Sequence, residues 1–265
     1  MLKITVLVEN KRSRHAVQGM QPRAGLSILL NDGVSRILFD TGPDDTFIHN
    51  ARLMNKSLSN LSAVVLSHGH YDHCGGVRWL EHGTRIVCHP DIAQQRYACV
   101  RLPWRTVPLK KLSVTQNYTD FDMAYYREPC ALSERFFWSG EIPVSRSVAY
   151  GVTDIATSEP DYVQDEGVLI WRSQQGLVII IGCGHRGLEN IVRHCIKITG
   201  EKRIHAIIGG LHLRTATPQK LIKARELLSE LKPDVLMSCH CTGVWGRFWI
   251  GDKCRLSCGD EIFIS

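Results

Sequence analysis

Within ten residues, Val64-Val65-Leu66-Ser67-His68-Gly69-His70-Tyr71-Asp72-His73, the chain runs from a strand-sized apolar stretch into three imidazoles and a carboxylate. Core packing has no use for that composition, because each buried ring nitrogen or carboxylate oxygen needs a partner to offset its lost hydration. Imidazole nitrogen and carboxylate oxygen are ligands of a borderline metal such as zinc, whose affinity offsets the cost of crowding them. In an extended loop His68 and His70 point the same way, at period two, and can share one ion. Asp72 and His73 lie one turn on and can reach a second. Two such ions would polarise a substrate oxygen and lower the pKa of a bridging water to about 7, giving a hydroxide nucleophile at neutral pH. In that scheme His68, His70 and Asp72 are the catalytic residues. The competing reading is a polar surface loop whose histidines hydrogen-bond to carbonyls.

Around this cluster the sequence reads as short strands with helices between them. Apolar runs near 4–8, 26–30, 37–40, 63–67 and 85–89 are strand-sized. The spacing of Phe47, Ile48, Ala51, Leu53, Met54 and Leu58 predicts a helix over 47–58, with a short one at 75–80. From 101 to 147 the prolines 103, 108, 129 and 143 interrupt any periodicity, which predicts an irregular segment lining a pocket. Order returns as a hairpin of 167–171 and 177–181. Leu188, Ile191, Val192, Cys195 and Ile196 then predict an amphipathic helix that stops at Gly200. A strand at 205–208 follows, then a helix capped by Thr217 with Pro218 at its first position, and a strand at 235–238 that runs into Cys239-His240-Cys241. With no repeat and no Ser/Gly linker, 1–265 is expected to be a single domain.

Composition narrows the classes further. The formal net charge of +6 in 265 residues suits an anionic small substrate and lacks the basic block of a nucleic-acid tail. No apolar run approaches the roughly 18 residues of a membrane span. The first residues read as a strand and not as a secretory signal. The ten cysteines, several beside histidine or glycine, then point to a reducing cytoplasm.

The H-x-H-x-D-H run resembles the metallo-β-lactamase superfamily. Asp40 in Leu38-Phe39-Asp40-Thr41-Gly42 matches that family's early strand-end aspartate. Gly140-Glu141-Ile142-Pro143, Gly182-Cys183-Gly184-His185-Arg186-Gly187, Gly209-Gly210-Leu211-His212-Leu213 and His240-Cys241-Thr242-Gly243 resemble its dihydropterin ribofuranosylaminobenzene phosphate synthase-like metal-dependent hydrolases. The likeness extends from the first strand to residue 243. It implies an α/β fold, a four-layer αββα sandwich of two mixed sheets flanked by helices, with two divalent metals at one sheet edge. Zinc is the first expectation, manganese or iron the alternatives. By the resemblance, Asp40 supports the metal loop, His68 and His70 hold one ion, Asp72 and His73 the other, and His240 completes the second. Relatives supply a third histidine before a hairpin and a bridging aspartate in a Gly-Asp pair. Here the strand 177–181 ends in Gly182-Cys183, so Cys183 stands at the aspartate's position with His185 two residues on. Both are expected ligands, a space-filling buried thiol being the alternative for Cys183. His212, Glu141 and His89 are expected to touch substrate.

Three other signals bear on function. Residues 182–187 spell G-x-G-x-x-G between a strand and a helix, but Glu201 precedes the next strand where a ribose-binding acid would end it. A nucleotide cofactor is therefore not expected, although the glycines and the helix start could hold a substrate phosphate. Cys239, Cys241, Cys254 and Cys258 lack a standard structural-zinc spacing, and alternation along the strand predicts that Cys239 and Cys241 face the core if His240 faces the site. Arg186, Arg214, Lys110 and Lys111 could supply charge for an anion. The sequence reads best as a metal-dependent hydrolase of a small, anionic or phosphorylated, pterin-like substrate, with no nucleic-acid or membrane partner. The alternatives are an iron-dependent redox enzyme, opposed by Tyr71 where diiron relatives carry glutamate, and a non-catalytic metal-containing binding protein.

Overall fold

The run Leu177-Val178-Ile179-Ile180-Ile181 is apolar at every position because its strand is covered on both faces. In the computed structural model, which describes residues 1–145 and 147–265, Val178 and Ile180 face a core between two sheets, while Ile179 and Ile181 face helices.

The first sheet has, in spatial order, Glu261–Ile264 (β17), Leu2–Val8 (β1), Ser27–Asn31 (β2), Arg36–Phe39 (β3), Ala63–Val65 (β4), Arg85–Cys88 (β5) and Asp122–Tyr125 (β8). The second has Val235–Cys239 (β16), Ile204–Gly210 (β15), Gly176–Ile181 (β14), Leu169–Ser173 (β13), Phe136–Trp138 (β10) and Cys130–Ala131 (β9). A smaller third sheet has Pro160–Asp161 (β12), Gly151–Val152 (β11), Tyr97–Leu102 (β6) and Arg105–Lys111 (β7). Ile28 and Leu30 join Phe136, Trp138 and Trp171 between the two large sheets, while Leu29 points the other way, as strand alternation requires. Thr46–Leu53 (α1) packs its Phe47 and Ala51 on the outer face of the first sheet. Leu188–Thr199 (α3), Pro218–Leu231 (α4) and the end of Gly243–Ile250 (α5) cover the second. The result is the αββα sandwich.

Local signals set several boundaries. Gly200 ends α3 in a left-handed conformation, and the Thr217 side chain accepts the Lys220 N–H at the start of α4. α1 is shorter than its apolar spacing suggests, because Asn55 turns to a left-handed φ of 54° just beyond it. The short helix expected at 75–80 is only a 3₁₀ turn at Val77–Trp79, and a four-residue helix, Tyr71–Cys74 (α2), precedes it. The segment 101–147 is not irregular: it holds the end of β6 and all of β7, β8, β9 and β10, while Arg146 lies outside the described residues. Its prolines misled because Pro108 sits on β7, an edge strand, opposite a register shift between Ala98 and Cys99, where a missing N–H is tolerated.

The topology creates one functional edge. β3, β4 and β5 run parallel in the first sheet, and β14, β15 and β16 run parallel in the second. The carboxyl ends of β4, β14, β15 and β16 lead into the segments that carry His68–His73, Cys183–His185, His212 and His240–Cys241. In parallel sheets that end is where side chains converge on a ligand. Among the described residues no helix is long and apolar enough to cross a membrane.

Candidate metal centre

Asp40, just past β3 with φ 58°, organises the loop after β4. Its carboxylate accepts the Ser67 N–H at 2.7 Å and the Ser67 hydroxyl at 2.8 Å, and lies 2.7 Å from His73 Nδ1. Ser67 Oγ, its one proton committed to Asp40, is left to accept from His68 Nδ1 at 2.9 Å. Both rings are thereby held with Nε2 turned toward the centre, the arrangement in which an outer carboxylate fixes a ligand's tautomer. A second brace acts on the backbone. The Gly69 N–H donates to Asp165 at 2.7 Å, and Asp165 and Asp161 flank the fully buried guanidinium of Arg96 at 2.7 and 2.5 Å. A side chain at Gly69 would collide with the Ile92 carbonyl, so the loop can pack this closely only with glycine there.

Among the described residues five trios of donors result, and two of them hold no cysteine. His68, His70 and His185 have ligand atoms within 4.8 Å of one another, with His68 Nε2 3.0 Å from His70 Nδ1. Asp72, His73 and His240 form the second, with His73 Nε2 3.2 Å and Asp72 Oδ2 3.4 Å from His240 Nε2. Cys183 joins them: its sulfur is 3.4 Å from His73 Nε2 and groups with His68 and His73. The expected ligands His68, His70, Asp72, His73, Cys183, His185 and His240 are therefore gathered in one place. His212 adjoins them, its ring 4.3 Å from that of His185.

Other expectations fare differently. Glu141 and His89 are not brought to this cluster; they meet each other at 3.6 Å, beside Arg127 and Asp91. Cys239 does face the core, but Cys241 does not. A 3₁₀ turn at His240–Thr242, with His240 at φ 51°, breaks the alternation and places the Cys241 sulfur 3.1 Å from the Cys183 carbonyl and 3.3 Å from the His212 N–H. Cys254 is exposed and Cys258 packs against the Leu7 carbonyl, so among the described residues the four late cysteines do not gather around one ion; Cys241 alone joins a donor group, with Cys183 and His240. The G-x-G-x-x-G turn cannot take a phosphate on its amides, because buried Glu166 already accepts the N–H groups of Gly184, His185 and Arg186 at 2.8, 2.9 and 2.7 Å. Lys110 is engaged with Tyr71, and Arg186 with the carbonyls of Ile142 and Tyr162. Sequence reasoning missed Cys241, Glu166, Asp165 and Arg96. For Cys241 the signal was adjacency to His240; for the others no local pattern exists.

The electrostatics differ from donor to donor, and burial with Cys241 beside it pushes the Cys183 thiol well above the usual range. Burial, reinforced by the neighbouring imidazoles, lowers His68 and His185 well below the usual histidine range and His70 to about 3, so all three present neutral rings. Burial opposes ionisation of Asp72, yet His73 and His240 hold it below the ordinary carboxylate range. His73 is raised to about 9 because Asp40 and Asp72 outweigh its burial. Both ring nitrogens of His185 and Nε2 of His70 are buried with no hydrogen-bond partner. Orphaned imidazole nitrogens beside an ionised carboxylate and a thiol are a donor set that fits divalent metal.

An αββα sandwich with such a cluster at its strand ends defines a class of metal-dependent enzymes, and the chain belongs to the metallo-β-lactamase superfamily. The family model of that description matches residues 20–166. The chain is 30% identical over 244 residues to 7,8-dihydropterin-6-methyl-4-(beta-D-ribofuranosyl)-aminobenzene-5'-phosphate synthase of Methanocaldococcus jannaschii, covering 83% of this chain and 81% of that one. It is also similar to the crystal structure of a metal-dependent hydrolase of the β-lactamase superfamily, at 27% identity and TM-score 0.86 over 100% of both chains. A diphosphatase of the PhnP family shares the fold, at 13% identity and TM-score 0.55 over 100% of this chain and 98% of that one.

Proposed function

We propose that the protein is a hydrolase that works with two zinc ions on a small phosphorylated, pterin-like substrate. The observation that carries this reading is the pair of donor trios, His68/His70/His185 and Asp72/His73/His240, with Cys183 beside His68 and His73. The first trio would hold one ion through neutral imidazoles and the second the other through an ionised carboxylate and two imidazoles, with Cys183 placed to serve as a further ligand once its thiol, held protonated by burial, gives up its proton. Such ions supply Lewis acidity toward a carbonyl or phosphoryl oxygen and activate water at neutral pH. Asp72 orients the attacking water, and Asp40 keeps His73 turned inward. The Gly69–Asp165–Arg96 brace keeps His68 and His70 from relaxing apart, so donor geometry is set before substrate arrives. The phosphorylated, pterin-related compound for which the 30%-identical relative is named supports the substrate class.

Elemental analysis of the purified protein tests the reading. Two equivalents of zinc per chain are expected, falling in Cys183→Ala and in His185→Ala. His70→Ala and Asp72→Ala should abolish turnover in a screen of phosphodiesters and esters while circular dichroism stays unchanged. One equivalent or none, indifferent to Cys183 and His185, or full activity without His70, would overturn it.

A further inference from the structure

Beside His185 and His212 the protein has an open cavity of about 770 Å³, within the range of small-molecule sites. His185, only 7% exposed and with both ring nitrogens unpartnered, is part of its lining. Tyr150 forms a wall: its ring centroid lies 4.6 Å from that of His185 and 4.8 Å from that of His212, and its hydroxyl donates to the His185 carbonyl at 2.8 Å. The aromatic face is thus fixed beside the candidate metal centre.

The charges lining this cavity are unbalanced. Its charged residues are Arg186, Lys220, Lys223 and Glu189. Arg186 is committed to backbone carbonyls, and Glu189 pairs with Arg193 at 3.0 Å. Lys220 is different. It is half-buried, sits 6.0 Å from the Tyr150 ring, and donates to the His212 carbonyl at 3.3 Å. Among the described residues no carboxylate lies within ion-pair distance of it. Burial pulls its pKa below the ordinary lysine value against the opposing pull of Cys241 and Glu166. Lys223 lies three residues on, on the same helical face. The neighbouring amides of the Gly184–Arg186 turn are closed to an incoming anion by Glu166, which leaves Lys220 and Lys223 as the cavity's cationic groups besides Arg186.

We propose that Lys220, assisted by Lys223, recognises a phosphate monoester at the far end of the substrate, and that the planar part of the substrate lies along Tyr150 and His212 toward His185. The assignment rests on the hydrolase reading for what happens at the near end. It makes the phosphate a handle and not the reacting group, so the enzyme discriminates phosphorylated substrates from their dephosphorylated forms without releasing inorganic phosphate.

Calorimetric binding of phenyl phosphate, with phenol as its neutral counterpart, tests this on the zinc-loaded protein. Lys220→Gln is expected to weaken phenyl phosphate by tenfold or more, the loss typical of a hydrogen bond to a charged group, with zinc content, melting temperature and phenol binding unchanged. Lys220→Arg should restore most of the affinity, and Asp72→Ala should keep it within about threefold of wild type, since the lysines and not the metals hold the phosphate. Wild-type affinity in Lys220→Gln would overturn the assignment, as would no wild-type binding at millimolar phenyl phosphate. So would loss of binding in Asp72→Ala, which would place the phosphate on the metal centre. Failure of every ester and phosphodiester to turn over would sink the hydrolase reading while leaving these binding results standing.

Discussion

Arg96→Met is expected to destabilise the protein by about 3–5 kcal/mol, although Arg96 touches none of the proposed ligands. The guanidinium is fully buried between Asp161 and Asp165, which are each 1% exposed. Removing it leaves two carboxylates with no cation. Asp165 already sits at about 6, raised by burial against the opposing pull of Arg96 and the Gly69 N–H, and losing Arg96 raises it further. A carboxyl that holds its proton in the fold but releases it when unfolded loses stability as pH rises through that window. The penalty should therefore be larger at pH 8 than at pH 5. Total stability is of order 5–15 kcal/mol, so the variant should remain folded but with a small margin. With a urea slope of roughly 3 kcal/mol per molar, the unfolding midpoint of metal-free protein should fall by about 1–1.7 M at pH 8. Adding Asp161→Asn and Asp165→Asn should recover much of the loss, because no buried charge is then left unpaired. A shift worth less than about 1 kcal/mol, or a penalty larger at pH 5, would refute the reasoning.

Metal-free protein should also lose stability on acidification from pH 7 to 5. The unfolded chain protonates its histidines near 6.5, whereas buried His68, His70 and His185 refuse the proton, at about 1.4 kcal/mol per pH unit each. A flat melting temperature over that range in chelator-treated protein would show that these rings are not held neutral. Asp40→Asn removes the carboxylate beside His73 Nδ1 and should weaken zinc by about 10–100-fold in competition with a chromophoric chelator. Cys183→Asp should keep two equivalents of zinc while Cys183→Ala loses one; equal metal content in both would remove Cys183 from the ligand set. Gly69→Ala should lower both zinc affinity and melting temperature, since its methyl group meets the Ile92 carbonyl.

The His68–His73 run was legible because its chemistry is local: period-two alternation and one helical turn decide which donors can meet, and both operate within six residues. The apolar strands 63–65 and 177–181 and the caps at Gly200 and Thr217 were legible for the same reason. Pro108 misled because whether a strand is an edge depends on what pairs beside it, and that partner is distant in sequence.

By itself, then, the sequence determined most element types up to residue 90 and from 167 to 239, the metal-donor loop and the family pattern, all of which rest on short-range backbone periodicity and on side-chain chemistry. Only the tertiary structure decided what joins that loop. Cys183 meets His73 across 110 residues, and Asp165 meets Gly69 across 96. The left-handed turn at His240 sends Cys241 toward the centre, and Glu166 closes the glycine-rich turn that looked open to phosphate. Lys220 reads in sequence as one more helix-surface lysine; the packing of α4 beside Tyr150 and His212 half-buries it. Such outcomes depend on how two sheets register and which desolvated groups find partners, quantities set by contacts between segments far apart in the chain.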